Sequence, residues 1–294
     1  MDWYIHHVNL PAHDIGQSRA FYRDIVGLPE GEWTYPPAAE RGHVPEGPDT
    51  MVFFGTENRG LHIVKPIVTF AKNNNLLHNP TVGGHIAITV SDIELVMQRL
   101  DAAGIVYSNA KTYAMAGIHQ VYVYEPGLRL IEINQSVSDL GAAPPEAGEQ
   151  HALRMEPGDW FLHHVNLQAF DVRATAKFFT DIVGLKEGVW DYPDADQLGT
   201  FTRDDDHITN FGIKNQGIHL VKPAPSFAAD NGLVHNPTIG GHFAITVKDV
   251  GAVIDRLKRA DIAYTDAGTY AMAGVHQVYT YDPSMNFVEI NQLP

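Results

Sequence analysis

The sequence contains no cysteine, which excludes disulfide staples, thiolate metal sites and cysteine nucleophiles. Any metal must therefore be held by histidine, aspartate or glutamate. Long apolar runs are also missing. No segment approaches the roughly 18 uninterrupted apolar residues that cross a bilayer, and the start, MDWYIHHVNL, has neither a basic leader nor a long apolar run. Positive charge is scarce: 20 Lys and Arg stand against 35 Asp and Glu, a formal net charge of −15. Such a surface repels phosphate backbones and anionic lipid heads. The expectation is a soluble, cytoplasmic protein that works on a small molecule, with no nucleic-acid or membrane partner. A homo-oligomer remains open.

What the sequence does contain is itself, twice. WYIHHVNL at Trp3 recurs as WFLHHVNL at Trp160, and HNPTVGGHIAITV recurs as HNPTIGGHFAITV. The segment YAMAGIHQVYVYEPGLRLIEINQ returns as YAMAGVHQVYTYDPSMNFVEINQ. Trp3 to Trp160, His7 to His164, His85 to His242 and Glu132 to Glu289 share one offset of 157 residues, so no net insertion separates the copies. A length of 294 residues suits two domains of about 140 residues each. Residues 136–159, with the core APPEAGEQ, lack an apolar period and read as a linker between domains 1–135 and 160–294. The copies differ most at Tyr35–Thr50 against Tyr192–His207, loop-like stretches that are candidate pocket rims.

Each copy divides again. Ile5–Leu10 alternates as a strand, and Asp14–Val26 follows a helical period with an apolar stripe of Ile15, Phe21, Tyr22, Ile25 and Val26, closed by Gly27. Met51–Phe54 and Leu61–Val64 read as strands. His85–Val90 restarts the pattern, followed by a helix introduced by a Ser91-x-x-Glu94 capping box and ended by Gly104, then strands at Gln120–Tyr124 and Leu128–Asn134. The order strand, helix, then two or three strands occurs four times.

Strand side chains alternate faces. His7 shares a face with Asn9, His85 with Ala87 and Thr89, and Glu132 with Leu130 and Asn134. A single strand histidine is more often hydrogen-bonded or superficial than a ligand. Three such residues recurring at one register are a different matter. If these strands surround one cavity, His7, His85 and Glu132 project into it, as do His164, His242 and Glu289. Two imidazoles and one carboxylate on one side of a cavity form the facial set favoured by Fe(II) oxygenases. Which half-units pair is left open: the sets are either those two, or His7 with His242 and Glu289 and His164 with His85 and Glu132.

The series HHVNL, FYxDIVGL, GGHxAITVxD and EIN resembles the vicinal oxygen chelate superfamily, which includes glyoxalase I, methylmalonyl-CoA epimerase, fosfomycin-resistance proteins and extradiol dioxygenases. The resemblance covers nearly the whole chain except the linker. It implies an α+β fold of four βαβββ modules, paired into two cupped, mainly antiparallel mixed-sheet domains. It also implies that the second histidine of each HH pair is the ligand, so that His6 and His163 point to the other face. Glyoxalase I-like relatives place a Glu where this chain has His62 and His219. Extradiol relatives place an acid–base histidine at about that point, and a neutral imidazole can take and return the proton of a catechol hydroxyl. The same two residues are alternatively fourth ligands.

The segment VYVYEPGLRLIE resembles the extradiol signature, with Tyr122 ten residues before Glu132 and Tyr279 ten before Glu289. Such a phenol can hydrogen-bond a substrate oxygen. Wall packing is the competing role for Tyr124 and Tyr281. The leading expectation is an Fe(II)-dependent ring-cleaving dioxygenase that uses O2 on a catechol- or hydroquinone-like compound. The alternatives are a Mn(II), Zn(II) or Ni(II) isomerase, epimerase or lyase of glyoxalase type, and a metal-free ligand-sequestering module. His78 and His235 in HNPT are candidate lid residues or strand caps, and Lys65 and Lys222 are candidate anion-steering residues. His13, His43, His151 and His207 have no counterpart in the other copy and read as surface residues.

Overall fold

The computed structural model describes residues 3–38, 42–43, 47–112, 114–115, 117–136, 160–192, 202–269 and 271–294. His151 and the linker expected at 136–159 lie outside these residues, save for Ser136. The described strands form two open, mixed, seven-stranded sheets with few helices, an α+β architecture.

The first sheet is built from β1 (Trp3–Pro11), β2 (Met51–Thr56), β3 (Arg59–Val64), β4 (His85–Val90), β5 (Tyr107–Lys111), β6 (Ile118–Tyr124) and β7 (Leu130–Ser136). Their lateral order is β2-β3-β1-β4-β7-β6-β5. β1 and β4 are antiparallel neighbours at the centre, β1 pairs in parallel with β3 and β4 with β7, and the outer pairs are antiparallel. The second sheet comprises β8 (Trp160–Gln168), β9 (Ile208–Ile213), β10 (Gln216–Val221), β11 (His242–Val247), β12 (Tyr264–Gly268), β13 (His276–Tyr281) and β14 (Phe287–Gln292). It has the same order, read from the other end. Each sheet therefore draws all its strands from one copy, which settles the open question of half-unit pairing. His7, His85 and Glu132 stand on the three adjacent strands β1, β4 and β7.

The helices follow the apolar stripes. α1 (Ile15–Ala20) runs into one π-helical turn, Phe21–Val26, which Gly27 stops at φ +94° while its N–H bonds the Tyr22 carbonyl. α2 (Phe70–Asn73) is a single turn that the sequence pattern does not announce. α3 (Ile93–Ala103) buries Ile93, Val96, Met97 and Leu100, each such side chain contributing about 1.5–3 kcal/mol, and packs against β7 and the Phe178–Val183 turn. Its cap differs from expectation. Asp92, not Ser91, accepts the Leu95 N–H at 2.9 Å, and in the second copy Asp249 accepts from Ala252 with Lys248 in the serine's place. β5 was not evident in the sequence, and β7 begins at Leu130, because Leu128 sits in the preceding turn at φ +64°.

The compact units do not follow the two copies throughout. The first holds the first sheet together with Lys177–Leu185, and the second holds the second sheet together with Ala20–Leu28. Within the second unit Tyr22 is fully buried, and its hydroxyl donates to the Asp282 carboxylate at 3.0 Å. No described helix is long and apolar enough to cross a membrane.

Candidate metal centre

The local chemistry of β1 and β4 brings the donors together. Gly84, just before His85, has φ +70°, and a Cβ there would lie 2.5 Å from the Asn9 carbonyl oxygen. Only glycine permits that approach, and Gly241 repeats it at 2.4 Å from the Asn166 oxygen. The GGH pattern is thus a backbone requirement for bringing the start of β4 against β1.

In the first unit His7 Nε2 lies 3.1 Å from His85 Nε2 and 3.6 Å from Glu132 Oε2, and His85 Nε2 lies 3.3 Å from the same oxygen. The corresponding distances in the second unit are 3.2, 3.5 and 3.3 Å. All six residues are buried, and these two sets are the donor clusters found among the described residues.

Partners on the outside of each cluster fix the direction of its lone pairs. His85 Nδ1 is 3.0 Å from the Pro80 carbonyl oxygen, which can only accept, so Nδ1 carries a proton and Nε2 faces the cluster. His242 does the same with Pro237 at 3.2 Å. Thr89 donates to Asn134 Oδ1 at 2.6 Å, and Asn134 Nδ2 donates to Glu132 Oε1 at 2.7 Å, leaving Oε2 turned toward the imidazoles. Thr246, Asn291 and Glu289 repeat the chain. Burial by itself would raise the Glu132 carboxyl, but the hydrogen bond and charge of His85 and the Asn134 amide outweigh it and hold the group at about 2. The Glu289 carboxyl is likewise lowered against burial by His242 and Asn291. His7 and His164 are pushed well below the ordinary imidazole range by burial and by their histidine neighbours.

An ionised carboxylate and two ring nitrogens converging at 3.1–3.6 Å in a buried place require a cation among them, either a shared proton or a metal ion. Ligand bonds of about 2.0–2.2 Å put donors about 3.0 Å apart at right angles and about 3.4 Å apart at tetrahedral angles. The donor set fits a divalent ion of the nitrogen- and oxygen-preferring kind.

His62 and His219 lie beside the clusters and are not part of them. The His62 ring stacks on His7 at 3.8 Å between centroids, and Trp33 and Phe53 pack edgewise against it at 4.5 and 5.4 Å. Its Nε2 donates to the Asn58 carbonyl at 2.8 Å, leaving Nδ1 as the acceptor atom, and burial lowers the imidazole to about 3. His219 stacks on His164 at 4.0 Å, donates to Asn215 and is also lowered to about 3 by burial. The fourth-ligand alternative therefore gains no support from the geometry. Tyr122 is buried, and its hydroxyl accepts from Gln120 Nε2 at 2.9 Å; the same nitrogen donates to Glu132 Oε2 at 3.1 Å. Gln277 links Tyr279 and Glu289 in the same way, at 2.8 and 3.2 Å.

A cavity of about 370 Å3 opens over the second cluster. His164, His242, Glu289, His219, Tyr279 and Gln277 reach it, and Trp190, Val221, Phe227 and Met272 give it apolar walls. Lys222 and His207 also line it; the His207 side chain is exposed, as expected of a surface residue, and its ring is tied to Asp204 at 2.5 Å. His13 and His43 are exposed. His78 and His235 bond Ser108 and Thr265 from half-buried positions beside Tyr124 and Tyr281, contacts to β5 and β12 and not to the strand that follows each histidine. The acidic-Pro pairs make turns: Glu125 accepts the N–H groups of Gly127 and Arg129, and Asp282 those of Ser284 and Asn286.

One expectation is overturned. His6 and His163 do not point to the other face: each Nδ1 lies 2.9 Å from the Nδ1 of the following histidine, and both rings are buried. The cause is a β-bulge. β1 pairs Ile5 with Ile88 and His7 with Ala87 and skips His6, and β8 skips His163 in the same way. Sequence reasoning also missed Gln120 and Gln277, although each stands two residues before the tyrosine already singled out and so shares its face.

Fold and site together define a tandem protein with one two-histidine, one-glutamate cluster in each open mixed sheet. The chain belongs to the Glyoxalase/Bleomycin resistance protein/Dioxygenase superfamily, whose sequence profile matches residues 4–133 and again 161–290. Among solved structures it is similar to the 2,3-dioxygenase LapB from Pseudomonas sp. KL28, at 17% identity and a TM-score of 0.60 over 99% of this chain and 91% of that one. It is similar to the Mn(II)-bound glyoxalase from Novosphingobium aromaticivorans, at 18% identity and a TM-score of 0.59 over 98% and 81%. It also resembles a variant of homoprotocatechuate 2,3-dioxygenase from Brevibacterium fuscum, at 15% identity and 0.59 over 99% and 71%. Identities this low establish a shared fold. No curated protein matches the sequence.

Proposed function

We propose that both clusters are mononuclear Fe(II) centres of a ring-cleaving, extradiol-type dioxygenase acting on a catechol- or hydroquinone-like compound. The observation that carries this reading is the combination at one cavity of two imidazoles and one carboxylate within metal-binding reach, a further buried histidine and a buried phenol, beside apolar walls. His7, His85 and Glu132 would hold one ion, and His164, His242 and Glu289 the other. Fe(II) in such a site supplies electron exchange between an aromatic diol and O2, which relieves the spin restriction on their direct reaction.

The protein's own groups do the rest. Trp190, Phe227 and Met272 receive a flat ring and exclude water from it. His219, protonated at Nε2 by its bond to Asn215, offers Nδ1 as the hydrogen-bond acceptor for a substrate hydroxyl; His62 does so in the first unit. Tyr279 and Tyr122, each accepting from a glutamine amide, turn the phenolic proton toward a substrate oxygen. Lys222 at the cavity draws an anionic substituent into an otherwise acidic protein.

The fold shared with a Mn(II)-bound glyoxalase favours a second reading, an isomerase, epimerase or lyase using Mn(II), Zn(II) or Ni(II) on the same donors. Anaerobic loading with Fe(II), followed by a panel of catechols and hydroquinones in an oxygen electrode, separates the two. Stoichiometric O2 uptake with a ring-opened product is the expected result. No uptake with any of them, together with Zn(II)- or Ni(II)-supported turnover of a thiol hemiacetal, contradicts the dioxygenase reading.

A further inference from the structure

Each ligand in the clusters has a partner on its far side. For His85 the partner is a backbone carbonyl, for Glu132 it is Asn134, and for His7 it is another imidazole. The β-bulge places the His6 and His7 rings nearly at right angles, at 79°, with their Nδ1 atoms 2.9 Å apart; His163 and His164 stand at 80° with the same separation. Two ring nitrogens at that distance share one proton, one donating and the other accepting.

We propose that His6 and His163 are positioning residues that accept the Nδ1 proton of His7 and His164, and so hold the Nε2 lone pair of each ligand toward the metal. The inference rests on the reading of the clusters as metal centres. A neutral imidazole that offers Nε2 to a cation carries its proton on Nδ1, and the atom facing that proton is the Nδ1 of the preceding histidine. His6 is thereby fixed as the tautomer protonated at Nε2. A carbonyl partner, such as Pro80 for His85, accepts in every state. An imidazole partner can also donate, so the proton of the His6–His7 pair can be placed on either side.

The duplication supplies an internal reference, because altering His6 leaves the His163–His164 pair intact in the same chain. Co(II) titration of the full-length apoprotein, followed by absorption in competition with a chelator, reads both sites. Wild-type chain is expected to take up two ions. His6→Phe, which keeps a ring but no acceptor, is expected to weaken one of the two sites by about 10–100-fold and leave the other unchanged. His6→Asn, whose Oδ1 can stand where Nδ1 stood, is expected to recover most of that loss. Equal binding by wild type and His6→Phe, or equal losses in the Phe and Asn variants, overturns the proposal while leaving the metal centres standing. No uptake by wild type overturns both readings. Should His6→Phe fail to fold, 15N shifts of the Zn(II)-loaded wild-type chain decide: His6 with a bare Nδ1 and a protonated Nε2 supports the assignment, and the reverse tautomer contradicts it.

Discussion

At Glu132 and Glu289 a fully buried carboxylate stays ionised because the hydrogen bond and charge of His85 or His242, with an asparagine amide on Oε1, outweigh burial; Oε2 also takes a glutamine amide. Burial pushes a carboxyl toward its neutral form, so the amides and the histidine charge must exceed that push. Gln277 also carries the Tyr279 hydroxyl, joining the histidine–glutamate cluster to the tyrosine that lines the cavity. Replacing Gln277 with leucine is expected to lower both metal affinity at the second cluster and turnover there by about 10–100-fold. Chelator competition and single-site kinetics check this, and unchanged values in both would remove Gln277 from the site's support. Alternation along strands made the six cluster residues legible in the sequence, since a period of two assigns faces without tertiary information. The same rule failed at His6 and His163, because an extra residue in the ladder shifts the register and no residue type announces a bulge.

At the level of elements, the repeated order of strand, helix and strands was readable from periodicity and from glycine punctuation at Gly27 and Gly104, both in the left-handed region. The weaker elements were not. β5 is a short edge strand, Tyr107–Lys111, with little apolar alternation to detect, and α2 is one turn. Half-unit pairing was also beyond the sequence, because the two copies carry nearly the same strands and either exchange satisfies the pattern. The approach of β4 to β1 depends on a single backbone conformation. Substituting Gly84 with alanine forces a Cβ to within 2.5 Å of the Asn9 oxygen at positive φ. A cost of about 2 kcal/mol or more is expected, read as a Tm several degrees lower in calorimetry, with metal uptake at the first cluster reduced. A Tm equal to that of wild type would show that the strand start tolerates displacement.

Across the whole molecule the duplication provides two complete clusters in one chain, and the two differ around the rim. Asn210 stands where the first copy has Phe53, and His207 where it has Thr50. Phe53 packs on the His62 ring, so His62 and His219 are enclosed differently, and distinct substrate preferences are expected of single-site variants assayed on one catechol panel. Metal binding also links to stability. An ion present at 100 times its dissociation constant adds about 2.7 kcal/mol. Chelation is therefore expected to lower Tm in the wild-type chain and to have no effect when both Glu132→Gln and Glu289→Gln are present; a chelator-sensitive double variant would place the stabilising ion elsewhere.

The most direct test counts iron. After anaerobic reconstitution with Fe(II) and removal of excess, elemental analysis of the full chain should give two ions per wild-type molecule, one in each of the Glu132→Gln and Glu289→Gln variants, and none in the double variant. Fewer than two in wild type, or iron retained by the double variant, would contradict the assignment of a metal centre to each copy.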